Sequence, residues 1–198
     1  MGQKVILDCG HGGVINGEYQ TAGKRSPNWS KGVLYEGMFN RWVVNRIIEK
    51  LDRLKIPYYH ISPELTDTSL QARSDRANKI MSSDKNTYLL SIHANAGGGK
   101  GIEGYTTVGV TGSDKIAETF LSNLEKDLDT DFRFDLSDGD KDKESNFWML
   151  KKPIGKAFLL ECGFMDNSKD YFNLWDEKYL SDLVNSCVRT IKDLYEGV

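Results

Sequence analysis

The stretch KVILDCGHGG, residues 4–13, runs a short apolar strand straight into a histidine set among glycines. Val5, Ile6 and Leu7 suit a pleated, buried surface, and Gly10 stops the run. The pattern recurs at TYLLSIHA, residues 87–94, which also runs into a histidine, and at KAFLLECG, residues 156–163, which reaches Glu161 near its end. PYYHIS, residues 57–62, and IEGYTTVGV, residues 102–110, read as further strands. Between these runs the period lengthens. Phe39, Val43, Ile47, Leu51 and Leu54, with Trp42 and Ile48 alongside, mark an amphipathic helix that Pro57 ends. A second helix is expected over SLQARSDRANKIM, residues 69–81, capped by Asp67 or Thr68, and a third over 113–127. The last, about 177–195, aligns Leu180, Leu183, Val184, Cys187, Val188, Ile191 and Leu194 on one stripe. Strands alternating with helices predict an α/β fold. The expectation is a single three-layer domain over 1–198, with a mostly parallel twisted sheet of about five or six strands and helices on both faces. In such a sheet the ligand crevice lies beyond the carboxyl ends of the strands, where His11 and His93 fall.

The bulk properties exclude several classes. A chain of 198 residues suits one domain with its own core. A formal charge of −3 and only short basic pairs, Lys24 with Arg25 and Lys151 with Lys152, argue against a nucleic-acid or phosphate surface. No apolar run approaches the roughly 20 residues of a membrane span. The start, Met1-Gly2-Gln3-Lys4-Val5, lacks the apolar segment of a secretory signal, and Ile6 stands where a myristoylation signal wants Ser or Thr. The expectation is therefore synthesis in the cytoplasm, release by another route and a monomer. Cys9, Cys162 and Cys187 form an odd set without paired spacing, which fits a reduced compartment. The polar stretch 12–35, with GKRSPNWSKG, reads as a long functional loop, and 129–146, DTDFRFDLSDGDKDKESN, as a solvated flap.

Histidines at two strand ends converge on one point if their strands are neighbours, which is a metal-site geometry; two satisfied structural histidines are the alternative. His60, inside a strand, is expected to be structural. A catalytic zinc takes three protein ligands and keeps one position open. Two imidazoles and one carboxylate leave the ion a net positive charge, so water there stays acidified. Glu36 and Glu161 both qualify as the carboxylate. A buried strand-end glutamate without a partner is costly, so Glu161 needs a neighbour. Gly10, Gly12 and Gly13 turn the backbone and admit groups close to His11. Asn95 could orient a ligand or accept substrate, and Asp8 could hydrogen-bond behind one. Arg73 reads as a structural ion-pair partner, and Cys9 and Cys162 as buried inert thiols. Trp29, Trp148 and Phe164 either stack on substrate or pack internally.

LDCGHGG, YEGMFN, SIHANA and LLECGFMDN, in this order, resemble the zinc-dependent N-acetylmuramoyl-L-alanine amidases of the type 3 family. SLQARSDRAN is similar to the family's Leu-x-x-Arg-x-x-x-Ala-Asn helix and GIEGYTTVG to its strand after the second histidine, so the likeness runs through nearly the whole chain. It implies one zinc ion held by His11, Glu36 and His93, with Glu161 as the catalytic carboxylate that does not ligate it. The activity implied is hydrolysis of the amide between N-acetylmuramic acid and L-alanine in peptidoglycan, in a phage or prophage endolysin or in an intracellular bacterial enzyme exported otherwise, without a separate wall-binding domain. A zinc peptidase cutting within the stem peptide and a non-catalytic wall-binding module are the rival readings. The chain departs from the family at Cys9, where alanine is usual, in the long loop bearing Trp29, and at Gly37, where lysine is common. Residues 129–146 are too short for the autoinhibitory helix of some members, which implies an open groove.

Overall fold

The computed structural model describes residues 2–197. Its main sheet has six strands: β1 (Lys4–Cys9), β4 (Tyr58–His60), β5 (Thr87–Asn95), β6 (Glu103–Thr106), β7 (Lys143–Glu144) and β8 (Lys156–Phe164). Their order is β4-β1-β5-β8-β6-β7, with every pairing parallel except that of β6 with β8. β2 (Val14–Ile15) and β3 (Glu18–Tyr19) form a separate two-residue hairpin. The expected mostly parallel α/β sheet of about five or six strands is therefore what the chain builds, with six.

Helices cover both faces. On one, α1 (Glu36–Leu54), α3 (Asp114–Asp127) and α6 (Glu177–Glu196) bury Val43, Ile47, Phe120, Leu183, Val184 and Ile191 against Val5, Leu7, Leu90, Ile92, Phe158 and Leu160. On the other, α2 (Leu70–Ser83) and the single turn α4 (Trp148–Lys151) pack Ala77, Met81, Met149 and Leu150 on Ile6, Leu89, Ala157 and Leu159. Successive strand residues point to opposite faces, so the odd residues of β1 share the first core and the even ones the second. A short α5 (Ser168–Asn173) follows β8.

Several boundaries differ from the sequence reading. The cap of α2 is Ser69, whose hydroxyl accepts from the Ala72 amide, rather than Asp67 or Thr68. β6 stops at Thr106, because beyond it Val108 and Val110 are 54% and 99% exposed and the chain turns at Gly109 with φ 93°. The 12–35 segment is not structureless: it holds the small hairpin and bridges Arg25 with Tyr35. The 129–146 segment is no free flap, since β7 extends the sheet beside β6 and Phe132 bridges Ile102. It contains no helix.

Candidate metal centre

Strand parity builds the site. On the face covered by α2, Asp8 lies directly across from Ser91, and His93 directly across from Glu161, in adjacent parallel pairs. Glu103 lies across from Glu161 on the other side. Five polar residues thus project from one end of one sheet face, beyond the apolar layer of Ile6, Leu89 and Leu159. Here β1 ends and His11 follows in a left-handed conformation, φ 68°. Two α1 residues that the sequence reading passed over hold this turn. Asn40 Nδ2 donates to the Gly10 carbonyl at 2.9 Å, and Arg41 Nη1 donates to the His11 carbonyl at 2.6 Å. The same helix begins with Glu36, so one rigid element fixes both the histidine turn and the carboxylate.

Glu36 Oε1 lies 3.1 Å from His11 Nε2 and 3.0 Å from His93 Nδ1. The rings stand edge to face, with centroids 5.2 Å apart and planes at 88°. All three donor atoms fall within 4.8 Å of one another, the one such group of three among the described residues. Ligands about 2.0–2.1 Å from a tetrahedral ion are separated by about 3.3 Å, so this donor set and spacing fit a zinc ion. Burial works to raise the Glu36 pKa, but hydrogen bonds to His11 and His93 outweigh it and hold the carboxyl ionised, as a ligand requires.

The glycines act differently from the sequence expectation. None of Gly10, Gly12 and Gly13 is left-handed; the left-handed residue is His11 itself. Gly10 makes room for His93 rather than His11: a Cβ there would sit 2.1 Å from His93 Cε1. Behind the ring, Nε2 lies 3.1 Å from Ser91 Oγ, and Ser91 Oγ donates to Asp8 Oδ2 at 2.7 Å. Asp8 is sealed from solvent, accepts from Ser62 Oγ as well, and pairs with Arg73 Nη1 at 3.0 Å. Burial raises its pKa, but Arg73 and then Ser91 pull it below the ordinary value. Arg73 pairs with Asp8 as read from the sequence, and Asp8 reaches His93 only through Ser91, a link that sequence reasoning missed.

Glu161 differs from its neighbours. Its Oε2 is shut off from solvent and has no hydrogen-bond partner among the described residues. Burial, followed by the carboxylates of Glu36 and Glu103, pushes its pKa well above the usual carboxylate range. It faces an open cavity of about 580 Å³ whose walls include His11, Lys24, Glu36, His93, Asn95 and Trp148. Asn95 is committed within the protein: Nδ2 donates to Glu103 at 2.7 Å and Oδ1 accepts from the Ala96 amide. His60 stands apart, half-buried with Nε2 3.5 Å from Cys9 Sγ. Cys9 and Cys162 are buried on the opposite face of the sheet. Of the aromatic candidates, Trp29 packs against Tyr171 and Phe164 lies buried, whereas Trp148 and Phe147 line the cavity.

Comparison with known proteins adds a family. A family model described as N-acetylmuramoyl-L-alanine amidase matches residues 5–193. The N-acetylmuramoyl-L-alanine amidase CwlM of Bacillus licheniformis is 31% identical over 187 residues, 91% of this chain and 64% of that protein. The chain thus spans somewhat under two thirds of that relative's length. The crystal structure of an N-acetylmuramoyl-L-alanine amidase from Clostridium difficile 630 superposes with a TM-score of 0.79 at 26% identity, covering 97% of this chain and 96% of that one. The amidase Ami1 of Mycobacterium smegmatis, 19% identical, shares the fold with a TM-score of 0.77 over 100% of this chain and 98% of its own.

Proposed function

The chain belongs to the N-acetylmuramoyl-L-alanine amidase family, and on that premise we propose that it hydrolyses the amide between the lactyl group of N-acetylmuramic acid and the first L-alanine of the peptidoglycan stem. Residues 1–198 act as one catalytic unit, His11, Glu36 and His93 hold a single zinc ion, and Glu161 is the acid-base group. The observation that carries this reading is the convergence of two imidazole nitrogens and one carboxylate oxygen beside a carboxyl with no partner of its own.

When bound, the ion supplies Lewis acidity that polarises an amide carbonyl and acidifies water. The protein's residues divide the remaining tasks. Glu36 Oε1 lies between both rings and so sets their separation. Ser91 and Asp8 fix the tautomer of His93: with Nε2–H donating to Ser91 Oγ, Nδ1 presents its lone pair to the cavity. Glu161, whose Oε2 is unengaged, takes the proton of the attacking water and returns it to the leaving nitrogen. The setting we infer is cell-wall lysis by a phage or prophage endolysin, and no helix among the described residues is long and apolar enough to cross a membrane.

The test is digestion of purified wall by the wild-type chain, with and without chelator, alongside Glu161→Gln. Clearing is expected only with metal, with stem peptides released bearing N-terminal alanine, and the variant is expected to keep its zinc while losing turnover. Peptides that begin at any other residue would assign the chain as a peptidase. Binding of wall without clearing would make it a binding module, and turnover surviving in Glu161→Gln would remove Glu161 from the mechanism.

A further inference from the structure

Beside the cavity, two cations gather that the mechanism above does not use. Glu103, on the strand edge next to Glu161, is 2% exposed and takes four hydrogen bonds. Oε2 accepts from Asn95 Nδ2 at 2.7 Å and from the Tyr105 hydroxyl at 2.9 Å. Oε1 accepts from Arg133 Nε and from Lys143 Nζ, each at 2.6 Å. Burial raises the pKa of Glu103, but Lys143, Arg133 and Tyr105 outweigh it and keep the carboxylate charged. One buried carboxylate therefore holds two cations.

Arg133 commits only Nε to Glu103. Its two terminal amino groups donate to nothing among the described residues, and its side chain is 45% exposed. Its guanidinium carbon lies 5.6 Å from the Phe164 ring centroid, so an aromatic side chain and a buried carboxylate together fix its orientation. The outcome is a planar two-donor edge, already oriented and facing solvent, which matches a carboxylate in bidentate geometry. Its place is defined as well. Asn95, in the cavity wall, shares the Glu103 carboxylate with Arg133, so only one carboxylate separates this edge from the wall.

We propose that Arg133, with Lys143 behind it, anchors a carboxylate on the peptide side of the substrate, carried by an acidic residue that follows the L-alanine. The proposal rests on the amidase reading above. Holding Arg133 by Nε rather than by its fork is what leaves the fork available for the ligand, and a preoriented donor pair loses little side-chain freedom on binding.

The experiment compares two synthetic muramyl peptides that are identical except that the residue after L-alanine bears a free carboxylate or its carboxamide. The wild-type chain is expected to cleave both, with KM about tenfold lower for the carboxylate, as one charged hydrogen-bonding contact allows. Arg133→Gln is expected to abolish the preference, bringing the ratio of the two KM values to about one. Raised salt is expected to weaken only the carboxylate preference in the wild type, a readout that needs no variant. Equal wild-type KM values for the two peptides would overturn the subsite even while the amidase reading stands. An equal loss on both substrates in Arg133→Gln would overturn it in favour of a purely structural role in holding Glu103. Wild-type inactivity on both peptides would fail the amidase reading, and the subsite with it.

Discussion

Replacing Gly10 with alanine isolates how narrowly the centre is built. The φ of Gly10 lies outside the left-handed region, so the change introduces no backbone strain and asks only about space. An added Cβ would lie 2.1 Å from His93 Cε1, 2.5 Å from Nε2 and 2.6 Å from Nδ1, with the ring face-on to it. Ordinary contact begins near 3.4 Å, so ring or backbone must retreat by about 1.3 Å. The ring is held by contacts of 3.0 Å to Glu36 and 3.1 Å to Ser91, and a shift of that size breaks at least one of them. Metal ligation tolerates displacements of only about 0.2 Å, and lost support behind a ligand histidine lowers metal affinity about 10–100-fold. The overpacking itself costs about 1–3 kcal/mol of stability, which a domain of this size can absorb. Gly10→Ala should therefore fold, bind zinc at least tenfold more weakly in competition with a chromophoric chelator, and clear wall correspondingly slowly at limiting metal. A variant that folds with wild-type zinc affinity and wild-type clearing would refute the placement of His93 in the centre.

Two further outcomes follow from groups outside the candidate metal trio. Asp8→Ala leaves the Arg73 guanidinium, 4% exposed, without its carboxylate, and should cost about 3–5 kcal/mol in urea unfolding. Adding Arg73→Met should recover much of that loss, and an Asp8→Ala penalty below about 1 kcal/mol would mean the pair is not sealed from water. Asp142 is buried beneath Thr106, and burial together with Asp140 and Asp114 pushes its pKa up to about 7. Its folded-state pKa lies above the unfolded value of 3.8, so the folded protein binds the extra proton between those limits and stability falls as pH rises through that window. In Asp142→Asn the slope of stability against pH between about 4 and 7 should flatten; an unchanged slope would place the titration elsewhere.

Much of the fold is written in local periodicity. The runs at 4–9, 87–94 and 156–163 have the near-continuous apolar character of strands covered on both faces, and the helical stripes of α1 and α6 show their buried sides directly. What escaped has its cause in tertiary contact. The hairpin β2–β3 and the single turn α4 are too short to carry a period, and β7 lies in a polar run whose only structural signal is the edge of β6 beside it. The alternation of IEGYTTVGV continues past the point where the strand ends, because Val108 and Val110 find no layer to pack against. Alternation proposes a strand, but burial decides its length.

The site was legible in kind but not in its supports. A histidine at each of two strand ends follows from the sequence, whereas their meeting depends on β1 and β5 being neighbours, which strand order alone decides. Ser91 and Glu103 gave no signal as isolated residues; they acquire meaning only from parity and register, which bring Ser91 opposite Asp8 and Glu103 opposite Glu161. The same register exposes a contrast among the four carboxyls at this end of the sheet. Asp8 accepts from three side chains, Glu36 lies against two imidazoles and Glu103 takes four donors. Glu161, on the cavity wall and less buried than these three, accepts from none at Oε2 among the described residues. An unsatisfied buried acceptor costs about 1–3 kcal/mol, and a donor arriving from the cavity would offset that cost, which is the role we propose for Glu161 beside the candidate metal trio.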